Sequence, residues 1–291
     1  MTYIGRFAPS PSGPLHFGSL ITALASYCDA KAHNGLWLVR MEDIDPPREM
    51  PGAKQLILQQ LEAFGLHWDR QVIYQSERLD LYQQQIDTWL REHLAYACSC
   101  TRKRMKSINH QYDGYCRDKH NSADNCAIRF INNTTINQFN DQIYGLCELP
   151  RLHAQQDFII KRKDGLVAYQ IAVCMDDVAQ GISHVVRGYD LLDTTIWQKA
   201  LIAQLGGNTP EYAHIPLAYA DDGRKLSKQN GATAIEVNQA SSLLHAALEH
   251  LGQQPPKALS TENVETIISW AVKHWQREKV QNIAVKQLNN A

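Results

Sequence analysis

No run of apolar residues in this sequence approaches the roughly 18 that a membrane-spanning helix needs, and no basic-then-apolar leader precedes the apolar stretch beginning at Tyr3. We therefore expect a soluble, cytoplasmic protein with no membrane partner. An excess of charge of either sign is missing as well, because 29 Lys and Arg face 30 Asp and Glu for a net charge of −1. Such a chain exerts no global pull on nucleic acid, so an RNA partner has to be held by local patches. Arg102, Lys103, Arg104 and Lys106 form the densest one. Internal repeats and low-complexity tracts are absent. A disulfide framework is also excluded: the seven cysteines, at 28, 98, 100, 116, 126, 147 and 174, are odd in number and scattered. Three of them cluster, which suggests a metal. What remains is 291 residues with 44% hydrophobic content, enough for one large or two ordinary domains with a sizeable core.

The most informative stretch runs from Gly5 to Ser19, GRFAPSPSGPLHFGS. Tyr3 to Ala8 has strand length and composition, and Gly18 to about Ala32 has helix composition, so the residues between them form a strand-to-helix turn. Three prolines restrict that turn, and Gly13 and Gly18 let backbone approach a ligand closely. The helix start aims N–H groups and partial positive charge at the same place, which is the requirement of a phosphate site. His16 stands beside it as a hydrogen-bond donor. About two hundred residues later, Gly223-Arg224-Lys225-Leu226-Ser227-Lys228-Gln229 puts two lysines three apart, both able to reach a triphosphate.

The first stretch resembles the HIGH signature of class I aminoacyl-tRNA synthetases in its glutamate-specific form, with His16 and Gly18 as the matching pair and Phe17 and Ser19 at the other two positions. The lysine stretch resembles the family's KMSKS signature, with Leu226 in place of its methionine and Gln229 in place of its last serine. The paired match implies ATP-dependent activation of an amino acid. ATP is then assigned to His16, Gly18, Ser19, Lys225 and Lys228, with Mg²⁺ on the phosphates. His16 and Lys228 are the expected catalytic groups.

Along the chain, Leu36 to Met41 is a nearly continuous apolar run, as a buried parallel strand should be, and it delivers Glu42, Asp43 and Asp45 to its carboxyl end. Ligands of open α/β sheets bind there, so an acidic group at that point is a candidate for a substrate ammonium. The resemblance, to an Arg-x-Glu-Asp pattern, selects Glu42, and leaves capping or solvation for Asp43 and Asp45. Leu56, Leu58, Leu61 and Phe64, closed by Gly65, mark an amphipathic helix, and Leu79 to Leu94 another. The alternation implies a doubly wound sheet. His184 to Asp190 brings a strand to a close on Arg187, whose guanidinium can grip a carboxylate with two parallel hydrogen bonds. Tyr169-Gln170-x-Ala172-x3-Asp176-Asp177 resembles the signature that sets an aromatic hydroxyl against the amino acid. By the same resemblance, Arg6, Phe7, Ala8, Pro9 and Ser10 join Glu42, Tyr169 and Arg187 as the expected glutamate site.

Between His93 and Pro150 the composition turns to cysteine, basic residues and asparagine. Cys98-x-Cys100 and Cys116 offer three thiolates to a tetrahedral ion, and Tyr112, His110, Tyr115, His120 and Cys126 compete on spacing for the fourth place. Resemblance to the glutamyl-queuosine tRNA(Asp) synthetases, which have Cys-x-Cys, eleven residues, then Tyr-x3-Cys, selects Tyr112. The expected fold class is thus α/β, a Rossmann-type doubly wound parallel sheet with an inserted zinc-bearing α+β subdomain. We expect catalytic halves at 1–92 and 151–235, the insertion at 93–150 with one structural Zn²⁺, and a helical tail at 236–291 too short for an anticodon-binding domain. That family implies an enzyme that activates L-glutamate and transfers it to queuosine of tRNA(Asp), and we expect a monomer. A compact synthetase charging a tRNA 3′ end, or an idle paralogue that only binds RNA or nucleotide, are the alternatives.

Overall fold

The structure is a computed structural model and describes residues 2–218 and 233–280. The chain begins β1 (Ile4–Phe7), α1 (Phe17–Ala32), β2 (Leu36–Met41), α2 (Ala53–Ala63), β3 (Ile73–Tyr74) and α3 (Leu79–Arg91). β1, β2 and β3 are neighbours in that order and both pairings are parallel. β2 is buried from Trp37 to Met41, which explains its continuous apolar run, and the one charge in it, Arg40, is fully buried. On α2 the buried face is Ala53, Ile57, Gln60 and Leu61. Gly65 follows with φ of +69°, and a Cβ there would lie 2.8 Å from Val264, so glycine serves both the turn and the close approach.

The middle of the chain holds β4 (Ala95–Cys98), α4 (Arg102–Ser107), β5 (Ala127–Phe130), β6 (Gln138–Asp141), β7 (Gly145–Glu148), α5 (Arg151–Ala154) and β8 (Phe158–Lys161). Strand pairing here crosses the limit expected at residue 150 in both directions. β8, beyond it, joins β4 and β5 in an antiparallel sheet, whereas the β6–β7 hairpin, before it, pairs with the later parallel strands. Long-range pairing decides sheet membership, and composition does not carry it. The antiparallel sheet has an apolar core built from its own residues and those of its neighbours. Ala95, Ala97, Ile128, Phe130, Phe158 and Ile160 pack in one cluster with Trp89 of α3 and Ile171 and Val173 of the next helix.

That helix, α6 (Tyr169–Gln180), leads to β9 (His184–Gly188), α7 (Thr195–Gln204) and β10 (Glu211–Ile215). β9, β10 and β6 are parallel, with β7 antiparallel on the outside. The two parallel blocks adjoin at β1 and β9, where the Ser183 N–H donates to the Ile4 carbonyl at 2.9 Å and the Ile4 N–H to Ser183 Oγ at 2.8 Å. Strand order therefore reverses between β1 and β9. In a doubly wound sheet that switch point opens a crevice at the carboxyl ends of the strands. Finally α8 (Ala240–His250) and α9 (Val264–His274) pack on α1 within the largest core cluster. Beyond α9, Trp275 and Arg277 both donate to the buried Asp29 of α1.

Candidate functional site

A cavity of about 420 Å³ opens at the switch point and is lined by Arg6, Phe7, Ala8, Ser10, Glu42, Tyr169 and Arg187. Seven residues expected from four separated stretches are thus brought together. Of that set only Pro9 is not in the lining, and its carbonyl accepts from the Glu42 N–H at 3.0 Å, tying the end of β2 to the loop after β1. Thr22, Arg48 and Asp190 also line it. Sequence reasoning missed these three, although Thr22 sits one helical turn after Gly18 and Asp190 closes the quoted β9 stretch.

Beneath the cavity lies a buried ionic network. Asp177 accepts from Arg40 at 2.8 Å and from Arg6 at 3.3 Å, while Asp176 accepts from Gln75, Arg78 and Tyr82, each at 2.8 Å. With Glu42 the count is three carboxylates to the three arginines Arg6, Arg40 and Arg78. Glu42 is the poorly served member. Its Oε1 has no hydrogen bond and stands 3.8 Å from Arg40 Nη2, at 8% exposure. Burial pushes its carboxyl up to about 7, against the pull of Arg40 and Arg6. Asp177 is buried too, yet Arg6 and Arg40 hold it below the ordinary carboxylate value. Tyr169 is raised by burial and by the facing Glu42. Asp43 has the structural role: it accepts from the Ser76 N–H and hydroxyl at 2.9 and 2.6 Å and from Lys54.

Arg187 is 3% exposed and held by neutral acceptors: His214 Nε2 at 3.0 Å, Gln198 Oε1 at 2.6 Å, Thr195 Oγ1 at 2.8 Å and the Leu191 carbonyl at 3.2 Å. Among the described residues no carboxylate forms an ion pair with it. A buried guanidinium so arranged keeps its charge for an incoming anion.

At the start of α1, His16 and Ser19 form a reciprocal cap. The Ser19 N–H donates to His16 Nδ1 at 3.3 Å, and the His16 N–H to Ser19 Oγ at 2.8 Å. With Nδ1 an acceptor, the ring proton sits on Nε2. The Ser19 hydroxyl donates to the His16 carbonyl at 2.8 Å, so this expected ATP ligand is engaged in the cap. Gly13, with φ of 144°, makes the turn that leads there. His16, Gly18 and Ser19 do not line the cavity. Lys225 and Lys228 lie outside the described residues.

Behind the end of β4, the sulfurs of Cys98, Cys100 and Cys116 lie within 4.8 Å of one another. Cys100 and Cys116 Sγ are 3.5 Å apart, and the Tyr112 hydroxyl is 3.7 Å from Cys98 Sγ. A tetrahedral ion with sulfur ligands at 2.3 Å needs edges of about 3.8 Å, so the group can hold one. Arg129 adds a second indication. It is 5% exposed, donates to Cys98 Sγ at 3.3 Å and lies 3.7 Å over the Tyr112 ring, and among the described residues no carboxylate pairs with it. Thiolates would supply the missing negative charge. Burial opposes ionisation of Cys116, but hydrogen bonds from Ser99 and Cys100 bring it down to about 7. Of the rivals for the fourth place, Tyr115 is 52% exposed and stacks with Arg104 and Lys119.

The fold and the site together define an amino-acid-activating enzyme, and the chain belongs to the family of class I tRNA synthetases (E and Q), whose catalytic domain matches residues 4–260. Within it the chain groups with the glutamyl-Q tRNA(Asp) synthetases. It is 53% identical over 279 residues to the one of Vibrio parahaemolyticus, covering 96% of this chain and 94% of that one. It is 50% identical over 284 residues to the one of Escherichia coli K12, covering 97% and 92%. Among solved structures, a glutamate tRNA ligase from Elizabethkingia meningosepticum in complex with its amino acid superposes with a TM-score of 0.78 at 25% identity. The match covers 96% of this chain and 66% of that ligase, so the chain spans just under two thirds of its length.

Proposed function

We propose that this enzyme activates L-glutamate with ATP and transfers the glutamyl group to queuosine in the anticodon of tRNA(Asp). One observation carries the amino-acid half: the under-partnered carboxylate of Glu42 and the neutral-cradled cation of Arg187 line the same cavity. An amino acid with an acidic side chain answers both, its ammonium on Glu42 and its side-chain carboxylate on Arg187. Phe7, Ala8 and Ser10 shape the floor, Pro9 ties that loop to Glu42 through its carbonyl, Arg6 supports the network below, and the Tyr169 hydroxyl is assigned to the substrate. The acceptor half rests on the relatives' name.

In the first step a glutamate α-carboxylate oxygen bonds to the α-phosphorus of ATP as the bond to the pyrophosphate oxygen breaks, giving glutamyl-adenylate. No enzyme nucleophile is required, because catalysis here is alignment plus neutralisation of phosphate charge. His16 Nε2–H, Gly18 and Ser19 stand at the α1 N-terminus for the phosphates, and Lys225 and Lys228 are proposed to follow the triphosphate. Mg²⁺ bound with ATP would neutralise phosphate charge. In the second step a queuosine hydroxyl oxygen bonds to the acyl carbon as the bond from that carbon to the phosphate oxygen breaks, and AMP leaves while the hydroxyl proton passes to its phosphate or to water. We assign a structural Zn²⁺ to Cys98, Cys100, Tyr112 and Cys116, and a cytoplasmic, monomeric state to the protein. Among the described residues no helix is long and apolar enough to cross a membrane.

The test is transfer of labelled glutamate to tRNA(Asp) with and without queuosine, followed by nuclease mapping. Label confined to the anticodon fragment of modified tRNA is expected. Label on a 3′-terminal adenosine regardless of queuosine would replace this reading with that of a compact charging synthetase, and absence of glutamate-dependent ATP–pyrophosphate exchange would leave an idle paralogue.

A further inference from the structure

The cradle of Arg187 continues away from the cavity into a second layer that neither the motifs nor the activation chemistry uses. His214 on β10 is fully buried, and Asp141 at the end of β6 is 1% exposed. Asp141 Oδ2 accepts from His214 Nδ1 at 2.6 Å, and Asp141 Oδ1 accepts from the backbone N–H groups of Ile143 and Tyr144, each at 3.0 Å. Because Nδ1 carries the proton, Nε2 presents a lone pair, and that lone pair receives the Arg187 Nε–H at 3.0 Å. Burial lowers the pKa of His214 and the adjacent Arg187 lowers it further, against the hydrogen bond to Asp141. The ring is thus neutral and of one tautomer.

We infer that Asp141 and His214 are positioning residues that set the enzyme's selectivity for an acidic over an amide side chain. The device depends on distance. A carboxylate bonded directly to Arg187 would neutralise the charge, and could take the one remaining Nη1–H, that an acidic substrate needs. Interposing a neutral imidazole fixes the guanidinium plane through Nε, while the nearest buried carboxylate of this layer stays one ring away. The β6–β7 hairpin, which pairs with the later parallel strands, is what brings Asp141 to β10. This inference rests on the reading of Arg187 as the side-chain carboxylate's partner.

Asp141→Asn separates positioning from mere support. The amide oxygen can keep the Ile143 and Tyr144 N–H groups, but the amide nitrogen then donates to His214 Nδ1 and drives the ring proton to Nε2, where it meets the Arg187 Nε–H. Two donors face each other, and Arg187 must turn. In glutamate-driven ATP–pyrophosphate exchange with full-length protein, D141N should raise the KM for glutamate on the order of tenfold to a hundredfold, the worth of one charge-assisted hydrogen bond. The preference for glutamate over glutamine should fall in parallel while the KM for ATP holds. His214→Phe, which keeps the ring and removes the acceptor, should do the same, and His214→Gln, which restores an acceptor, should recover most of the selectivity. This pair decides the matter if D141N does not fold. Variants with glutamate KM and glutamate/glutamine ratio within about twofold of wild type, or with only a lowered kcat, would overturn the inference. A wild-type enzyme without glutamate-dependent exchange would overturn the underlying reading instead, and the inference with it.

Discussion

The cavity at the ends of β1 and β9 and the sulfur cluster behind β4 are both made of buried polar groups, and they are assembled in opposite ways. The cluster draws its four candidate ligands from Cys98 to Cys116, a local stretch. The cavity draws on the loop after β1, the end of β2, the start of α6 and the end of β9, and its supporting layer adds β6 and β10. A local cluster can be secured by one bound ion, since the chain between its ligands is short. A dispersed site has no such clamp and is held by the ionic network around Asp176 and Asp177, whose partners come from β1, β2 and the segment from Gln75 into α3. The difference predicts that the two regions fail differently: loss of a cluster ligand should unfold, and loss of a cavity residue should disable.

The largest effect is expected at Arg187. Arg187→Ala removes the charge proposed to meet the substrate carboxylate, and kcat/KM for glutamate in exchange should fall by about 10² to 10³ or more. Arg187→Lys should recover little, because a point charge cannot reproduce the fork that reaches His214, Gln198 and Thr195. Retention of near-normal exchange would remove Arg187 from the site.

Next comes the opposite region. Cys116→Ser should abolish zinc by elemental analysis and lower the melting temperature by about 5 °C or more, since removal of a structural ion withdraws folding free energy. The glutamate KM of the folded fraction should stay within about twofold. A larger change would show that the cluster reaches the cavity through the core shared by Phe130, Phe158 and Ile171.

The pH dependence sharpens the cavity side. Glu42 has a folded pKa near 7, above the ordinary 4.5, so without ligand its contribution to stability is complete below about 4.5 and is lost as pH rises through 7. The loss is roughly 3 kcal/mol at most, isolated by comparing melts of wild type and Glu42→Gln. Ligand binding runs the other way. An ammonium prefers the ionised carboxylate, so the glutamate KM should fall up to about tenfold from pH 6 to 8 and then level, and Glu42→Gln should flatten the profile. A KM independent of pH in the wild type would take the ammonium away from Glu42.

The smallest effect belongs to the cap of α4. Thr101 Oγ1 accepts from the Arg104 N–H at 3.2 Å on an exposed surface. Thr101→Ala should cost about 0.5 to 1 kcal/mol in denaturant unfolding and leave exchange untouched. A measurable loss of exchange would again couple the two regions.

Much of this was legible from the residues. Leu36 to Met41 reads as a buried parallel strand and is one, because full burial on both faces leaves a continuous apolar run. The cysteine spacing announces a ligand cluster because few residues separate its parts. The membership of β8 and of the β6–β7 hairpin was not legible, since a four-residue strand carries no mark of its partner. Arg40 also escaped notice as a buried charge. Nothing in an apolar run says that Asp177 and Gln180, some 140 residues away, will be there to receive it.

The sequence by itself determined the strand-to-helix turn before α1, the alternation that makes the sheet doubly wound, and the local sulfur cluster, because each depends on spacing within a short segment where chain geometry is fixed by the covalent bonds. Only the tertiary structure decided which carboxylates are neutralised and which stay under-partnered, which arginine keeps its charge for a ligand, and that a histidine stands between Asp141 and Arg187. Those properties belong to distances between residues remote in sequence, and buried electrostatics depends on distance and desolvation, neither of which exists until the strands are side by side.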